Sequence, residues 1–168
     1  LEKIGISAIV LEDKVGLKRN SLFEDQKDSR QDTISNFSRK IKTIAQSRIS
    51  NDFMIVARIE SFILKKGLRD AIKRANAYSK AGADAILIHS KNNSPNEIFS
   101  FAKVFAKSKY YKPLVAVPST YSKTTEKNLE KNGFRIVIYA NHMLRASYPS
   151  MMTVAQSILK NQTFLKEN

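Results

Sequence analysis

Five short apolar runs constrain this chain more than any other feature: residues 6–11, 54–59, 85–89, 114–117 and 136–140. Each is nearly continuous in apolar side chains rather than alternating. A strand covered on one side alternates, whereas a strand covered on both sides does not, and the second pattern marks a parallel sheet between packed layers. Helical patterns lie between the runs. Leu68, Ala71, Ile72, Ala75 and Tyr78 recur at three-to-four spacing, and Gly82 follows where a helix should stop. Ser94-Pro95-Asn96-Glu97 opens another helix with Pro at its first position, and Ile98, Phe101, Ala102 and Phe105 form its apolar stripe. The pattern predicts a longer helix over 32–48 and a shorter one over 124–132, with Gly133 after it. Tyr148-Pro149 should break or restart the last helix, which runs to about Leu159.

Strands alternating with helices through four crossovers predict an α/β fold with a parallel sheet. With only five glycines and no Gly-x-Gly-x-x-Gly or Walker-type loop, the sheet does not read as dinucleotide-binding. Every strand delivers polar groups at its carboxyl end: Glu12-Asp13-Lys14, then Arg58 and Glu60, His89-Ser90, Pro118-Ser119, and Asn141-His142. In a (β/α)8 TIM-type barrel, that end is where chemistry sits, and such a barrel takes about 250 residues. This chain has 168. It is expected to supply about the last five strands and their helices, as a single domain over 1–168 that lacks the N-terminal strands.

Charge narrows the partners. Twenty-nine Lys and Arg against fifteen Asp and Glu leave +14, and residues 103–168 hold eleven of the basic groups against three acidic ones. Nucleic-acid binding would gather basic residues on one face with aromatic or groove-reading elements among them. Here the lysines are scattered singly along amphipathic helices, so no nucleic acid is expected, and a small anionic substrate suits the charge. A 42% hydrophobic content excludes a wholly disordered chain. No apolar run nears the ~20 residues of a membrane span. The absence of Cys removes disulfides, thiolate metal ligands and a Cys nucleophile, and suits a cytoplasmic location.

Three segments could carry chemistry. Residues 12–21 combine a strand-end carboxylate, Glu12, with a polar loop whose Lys18 and Asn20 could close over an anion; spacing alone favours an exposed charged turn. The loop continues to Arg30, and long polar loops often serve as lids. Arg58 is a lone cation within an apolar strand, expensive unless it meets a partner or an anionic ligand. Glu60, two residues on, shares its strand face, so a structural ion pair is the equal alternative. His89 ends a strand level with Glu12 and Arg58. Asn141, His142 and Arg145 read as structural.

With these residues in place, the chain resembles the phosphoenolpyruvate mutase family of the isocitrate lyase superfamily. The resemblance rests on Glu12-Asp13-Lys14 followed by Lys18, Asn20 and Ser21. It also rests on Val-Ala-Arg-Ile-Glu at 56–60, Gly-Ala-Asp-Ala-Ile-Leu-Ile-His-Ser-Lys at 82–91 and Ala-Asn-His-Met-Leu-Arg-Ala at 140–146. It implies a barrel that interconverts phosphoenolpyruvate and phosphonopyruvate with Mg2+, at the head of phosphonate biosynthesis. Glu12 would hold a metal-bound water, with the direct ligands upstream of residue 1. Lys18 and Asn20 would lie on a gating loop, with Ser21 beside them among the substrate contacts, and Arg58 and His89 would grip the phosphoryl group. A homodimer or homotetramer that exchanges its last helix is also implied. The family's Asp-Gly-Asp metal motif and the aspartate proposed to receive the phosphoryl are not in these 168 residues, so the chain alone is expected to be inactive.

Two rivals remain at the level of sequence. The superfamily's lyases carry Lys-Arg-Cys-Gly-His where this chain reads Lys18-Arg19-Asn20-Ser21-Leu22, and Asn20 in place of the acid cysteine argues against C–C cleavage. Phosphonopyruvate hydrolase, in which water takes the phosphoryl group, is the harder alternative; Asn20 favours the mutase. A non-enzymatic basic binding module is the third reading.

Overall fold

The computed structural model describes residues 1–16 and 30–163. Residues 1–138 and 139 onwards form two compact units. The first is built on a five-stranded sheet of β1 (Ala8–Glu12), β4 (Met54–Ile59), β5 (Ala85–Ile88), β6 (Leu114–Ala116) and β7 (Phe134–Val137), in that order. All four pairings are parallel. A two-stranded antiparallel ladder, β2 (Lys14–Val15) with β3 (Arg30–Gln31), stands at the end of β1. Helices α1 (Ile34–Ser47), α2 (Gly67–Ala81), α3 (Asn96–Phe105) and α4 (Glu126–Lys131) connect the strands. Among its described residues the second unit holds one helix, α5 (His142–Asn161). Among the described residues, no helix is long and apolar enough to cross a membrane. The first unit has the architecture of an α/β barrel segment, a parallel sheet with its helices packed on one face.

The two faces of the sheet separate cleanly by strand periodicity. Leu11, Ile55, Ala57, Ile59, Ile86, Ile88, Leu114 and Ala116 face the helices, where they meet Phe37, Ile41, Ala71, Ala75, Tyr78, Ile98, Phe101, Phe105 and Leu129. At roughly 1.5–3 kcal/mol per large apolar side chain removed from water, this layer is the main source of the unit's stability. The opposite face carries Val10, Val56, Leu87, Val115 and Val117. Central strands are buried on both faces, which explains their unbroken apolar runs. Edge strand β1 is not, and Val10 is 47% exposed.

Local signals place the helix ends. Thr33 Oγ1 accepts from Asn36 N at 3.1 Å to cap α1. Gly82 stops α2 in the left-handed conformation (φ 114°), and a Cβ there would come within 2.9 Å of Ala45 Cβ. At the amino end of the sheet, Arg48 Nη1 meets Asp84 Oδ2 at 2.8 Å, and the same oxygen takes Ile55 N at 2.9 Å.

Two sequence expectations need correction. The last strand starts at Phe134, two residues before the apolar run, because Leu114 pairs with Phe134 across a register shift. Tyr148-Pro149 does not interrupt the last helix: α5 runs through Pro149. The proline ring costs one backbone donor there, but the surrounding turns are exposed and water can take the orphaned carbonyl.

Candidate active site

The carboxyl ends of β1, β4 and β5 converge on the face away from the helices. Glu12 pairs in register with Arg58, and Arg58 with Leu87. Two residues beyond Leu87, His89 therefore stands on the same face, level with Glu60. Arg58 Nε donates to Glu60 Oε1 at 2.7 Å; the Arg58 side chain is 22% exposed and the Glu60 side chain 0%. The structure thus realises the ion pair that the sequence left as one alternative.

His89 is 4% exposed, and its Nδ1 is buried with no hydrogen-bond partner among the described residues. Burial is the largest influence on its pKa. The charge of Arg58 adds to it, Glu60 opposes, and Lys14 lowers it further, leaving a value of about 4. The imidazole is therefore neutral at physiological pH, with one N–H to donate and one nitrogen to accept.

Behind this surface lies a buried polar cluster that sequence reading missed. Asp13 is fully buried rather than part of an exposed turn. Its Oδ1 accepts from Glu60 N at 3.0 Å; its Oδ2 accepts from Tyr78 OH at 2.8 Å, Gln31 Nε2 at 2.9 Å and Arg74 Nη1 at 3.2 Å. Burial pushes the Asp13 carboxyl above the ordinary carboxylate range, while the Glu60 amide, Tyr78, Arg74 and Gln31 act against that shift. Arg74 also donates through Nε to Asp70 at 2.8 Å and through Nη1 to the Asp32 carbonyl at 2.8 Å. The main chain adds Asp13 N to Arg58 O (3.1 Å) and Asp32 N to Asp13 O (2.8 Å). One carboxylate thereby ties together the ends of β1, β3 and β4 and the inner face of α2. A signal existed: Arg74 sits within the apolar stripe Ala71, Ala75, Tyr78, where a cation demands a buried partner.

Lys18, Asn20 and Ser21 lie outside the described residues. Ser90 Oγ donates to Glu97 Oε2 at 2.6 Å, fixing the β5–α3 turn. Asn141 caps α5 in a left-handed conformation, and its carbonyl accepts from Arg145 N at 2.9 Å. Among the described residues, no group of three or more His, Asp or Glu side chains could enclose a metal ion.

Glu12, Arg58 and the neutral His89 thus share one face at the carboxyl ends of three adjacent parallel strands, the end at which α/β barrels keep their chemistry. The chain belongs to the phosphoenolpyruvate phosphomutase family, whose model matches residues 1–159. It is 40% identical over 167 residues to the phosphoenolpyruvate phosphomutase of Tetrahymena pyriformis, an alignment covering 98% of this chain and 54% of that protein. It is 41% identical over 165 residues to the phosphonopyruvate hydrolase of a Variovorax species, covering 95% and 54%. The solved phosphoenolpyruvate phosphomutase from Streptomyces platensis subsp. rosaceus superposes with a TM-score of 0.86 at 35% identity, over 96% of this chain and 55% of that one. A phosphonopyruvate hydrolase in complex with oxalate and Mg2+ gives 0.82 at 37% identity, over 96% and 54%. The chain spans about half the length of the relatives it matches.

Proposed function

We propose that the protein built with this chain is a phosphoenolpyruvate mutase, interconverting phosphoenolpyruvate and phosphonopyruvate for phosphonate biosynthesis. The observation that carries the reading is the placement of Glu12, Arg58 and His89 on one face, at the carboxyl ends of three adjacent strands, in a member of this family. From phosphonopyruvate, the C–P bond breaks and an O–P bond forms to the enolate oxygen of the same molecule, with no net gain or loss of atoms. The phosphoryl group in flight needs a cation and neutral donors around its oxygens, and no base beside it. Arg58 supplies the cation, and His89, held neutral by burial, supplies an N–H without a mobile proton. Lys18, Asn20 and Ser21 are assigned to the loop that shuts the site; the Asn20 amide would donate to the phosphoryl oxygens and occupy the space a water would use.

Mg2+ is the proposed cofactor, supplying charge neutralisation to the enolate and phosphoryl oxygens when bound. Glu12, at the end of β1, would hold the ion through a water, with the direct ligands coming from elsewhere. A homodimer or homotetramer exchanging α5 is supported by that helix's exposed apolar side chains, among them Met143, Leu144, Tyr148, Met151 and Ile158. A cytoplasmic location fits a chain without cysteine.

The second reading, phosphonopyruvate hydrolase, is favoured by 41% identity to such an enzyme. Phosphorus NMR of the protein at its relatives' length, given phosphonopyruvate and Mg2+, separates the two. Phosphoenolpyruvate with little phosphate is expected. Mainly phosphate and pyruvate would replace the mutase with the hydrolase.

A further inference from the structure

We propose that Glu60 is a positioning residue for the reaction: its buried carboxylate holds the Arg58 guanidinium in the orientation that receives the phosphoryl group. The proposal rests on the functional reading above, in which Arg58 contacts that group.

Three observations carry it. Glu60 is fully buried, and a buried carboxylate is tolerated only against a matched cation; Arg58 Nε meets it at 2.7 Å. Arg58 is the more exposed partner, so the pair points its guanidinium from a rigid interior towards the open side of the sheet. Glu60 is itself anchored. Its backbone N–H is held by Asp13 Oδ1 at 3.0 Å, and Asp13 Oδ2 is in turn held by Tyr78, Gln31 and Arg74. The line from Arg74 through Asp13 and Glu60 to Arg58 consists of hydrogen bonds of 2.7–3.2 Å that join α2 to the residues just beyond β1 and β4 and to Arg58 on β4.

The chemical consequence concerns entropy and direction. A free Arg side chain samples many rotamers, and fixing it on the substrate would cost binding energy. With Nε held by Glu60, the guanidinium plane is set beforehand, and its two Nη groups form the edge that matches two phosphoryl oxygens. The donors are then preorganised where charge develops, which is what lowers the barrier in a dry site. Partial neutralisation by Glu60 also keeps Arg58 from over-binding the ground state.

The test is a double-mutant cycle on the protein at its relatives' length, reading kcat and KM for phosphonopyruvate together with thermal melting. Glu60→Ala should lower kcat about 100-fold with little change in KM, and Glu60→Gln, which keeps an acceptor for Nε, should lose only about 3–10-fold. In an Arg58→Ala background, either Glu60 change should cost less than about 3-fold more, because the residue acts through Arg58. Native-like turnover in Glu60→Ala, or fully additive losses in the cycle, would overturn the proposal. If Glu60→Ala does not fold, the cycle built on Glu60→Gln decides by the same criterion of additivity. Arg58→Ala with near-native turnover is a separate outcome: it would remove the phosphoryl-gripping role of Arg58 itself and leave the ion pair as structure.

Discussion

Arg58 and His89 treat charge in opposite ways at neighbouring strand ends. Arg58 meets the buried Glu60 carboxylate at 2.7 Å, whereas His89 loses its charge chiefly to burial, with the charge of Arg58 adding to the effect. If both hold the phosphoryl group, Arg58→Ala should cost several kcal/mol of transition-state stabilisation, on the order of 100- to 1000-fold in kcat/KM. His89→Ala removes a neutral donor and should cost less, about 10- to 100-fold. Steady-state kinetics of the two variants check the order. The same histidine links stability to pH. Its folded-state pKa of about 4 lies below the ordinary value of 6.5, so the unfolded chain binds the proton more readily. The contribution is complete above about pH 6.5 and is lost as pH falls towards 4. Melting temperatures from pH 7 to 4 should therefore decline more steeply for the native protein than for His89→Asn, in which no imidazole titrates.

At the scale of elements, the alternation of runs and stripes revealed the five strands and the four helices beside them, because burial on both faces leaves a continuous apolar signature. The β2–β3 ladder was not legible: two-residue strands held by backbone bonds leave no periodic trace. Pro149 misled for a related reason, since sequence shows the missing donor but not whether water can replace it. Gly82 offers a clean test of an element boundary. Gly82→Ala meets both a left-handed φ and Ala45 Cβ, whereas Gly133→Ala meets only the φ, with open space around it. The first should destabilise by about 2–3 kcal/mol and the second by about 1 kcal/mol, read by urea denaturation. Asn20 bears on the product in the proposed reaction. Asn20→Ala should turn over more slowly and release a larger share of phosphate, resolved by phosphorus NMR; an unchanged product ratio would separate Asn20 from water exclusion.

At the scale of the whole molecule, the described residues build one five-stranded parallel sheet and a two-stranded ladder. Among the described residues the sheet ends at β1 and β7, each paired on one side, and the relatives are about twice as long. An open barrel segment leaves sheet edges unpaired, and on edge strand β1 Val10 is 47% exposed. The 168 residues expressed alone are therefore expected to be poorly soluble and to show no turnover of phosphonopyruvate. A monomeric chain with a cooperative unfolding transition and measurable turnover would show that it stands by itself.

Sequence alone determined the parallel α/β architecture, the helix stops at Gly82 and Gly133, and the candidates Glu12, Arg58 and His89. Apolar periodicity, turn chemistry and strand-end polarity are local properties, written in consecutive residues. Tertiary structure decided the rest. Only the register of β1 on β4 and of β4 on β5 puts Glu12, Arg58 and His89 on one face. Only packing of α2 against the strand ends turns Asp13 from a charged turn residue into a fully buried hub. A hydrogen bond spanning 61 residues, such as that from Arg74 to Asp13, has no local signature, because its energy depends on burial that exists only once the distant segments have met.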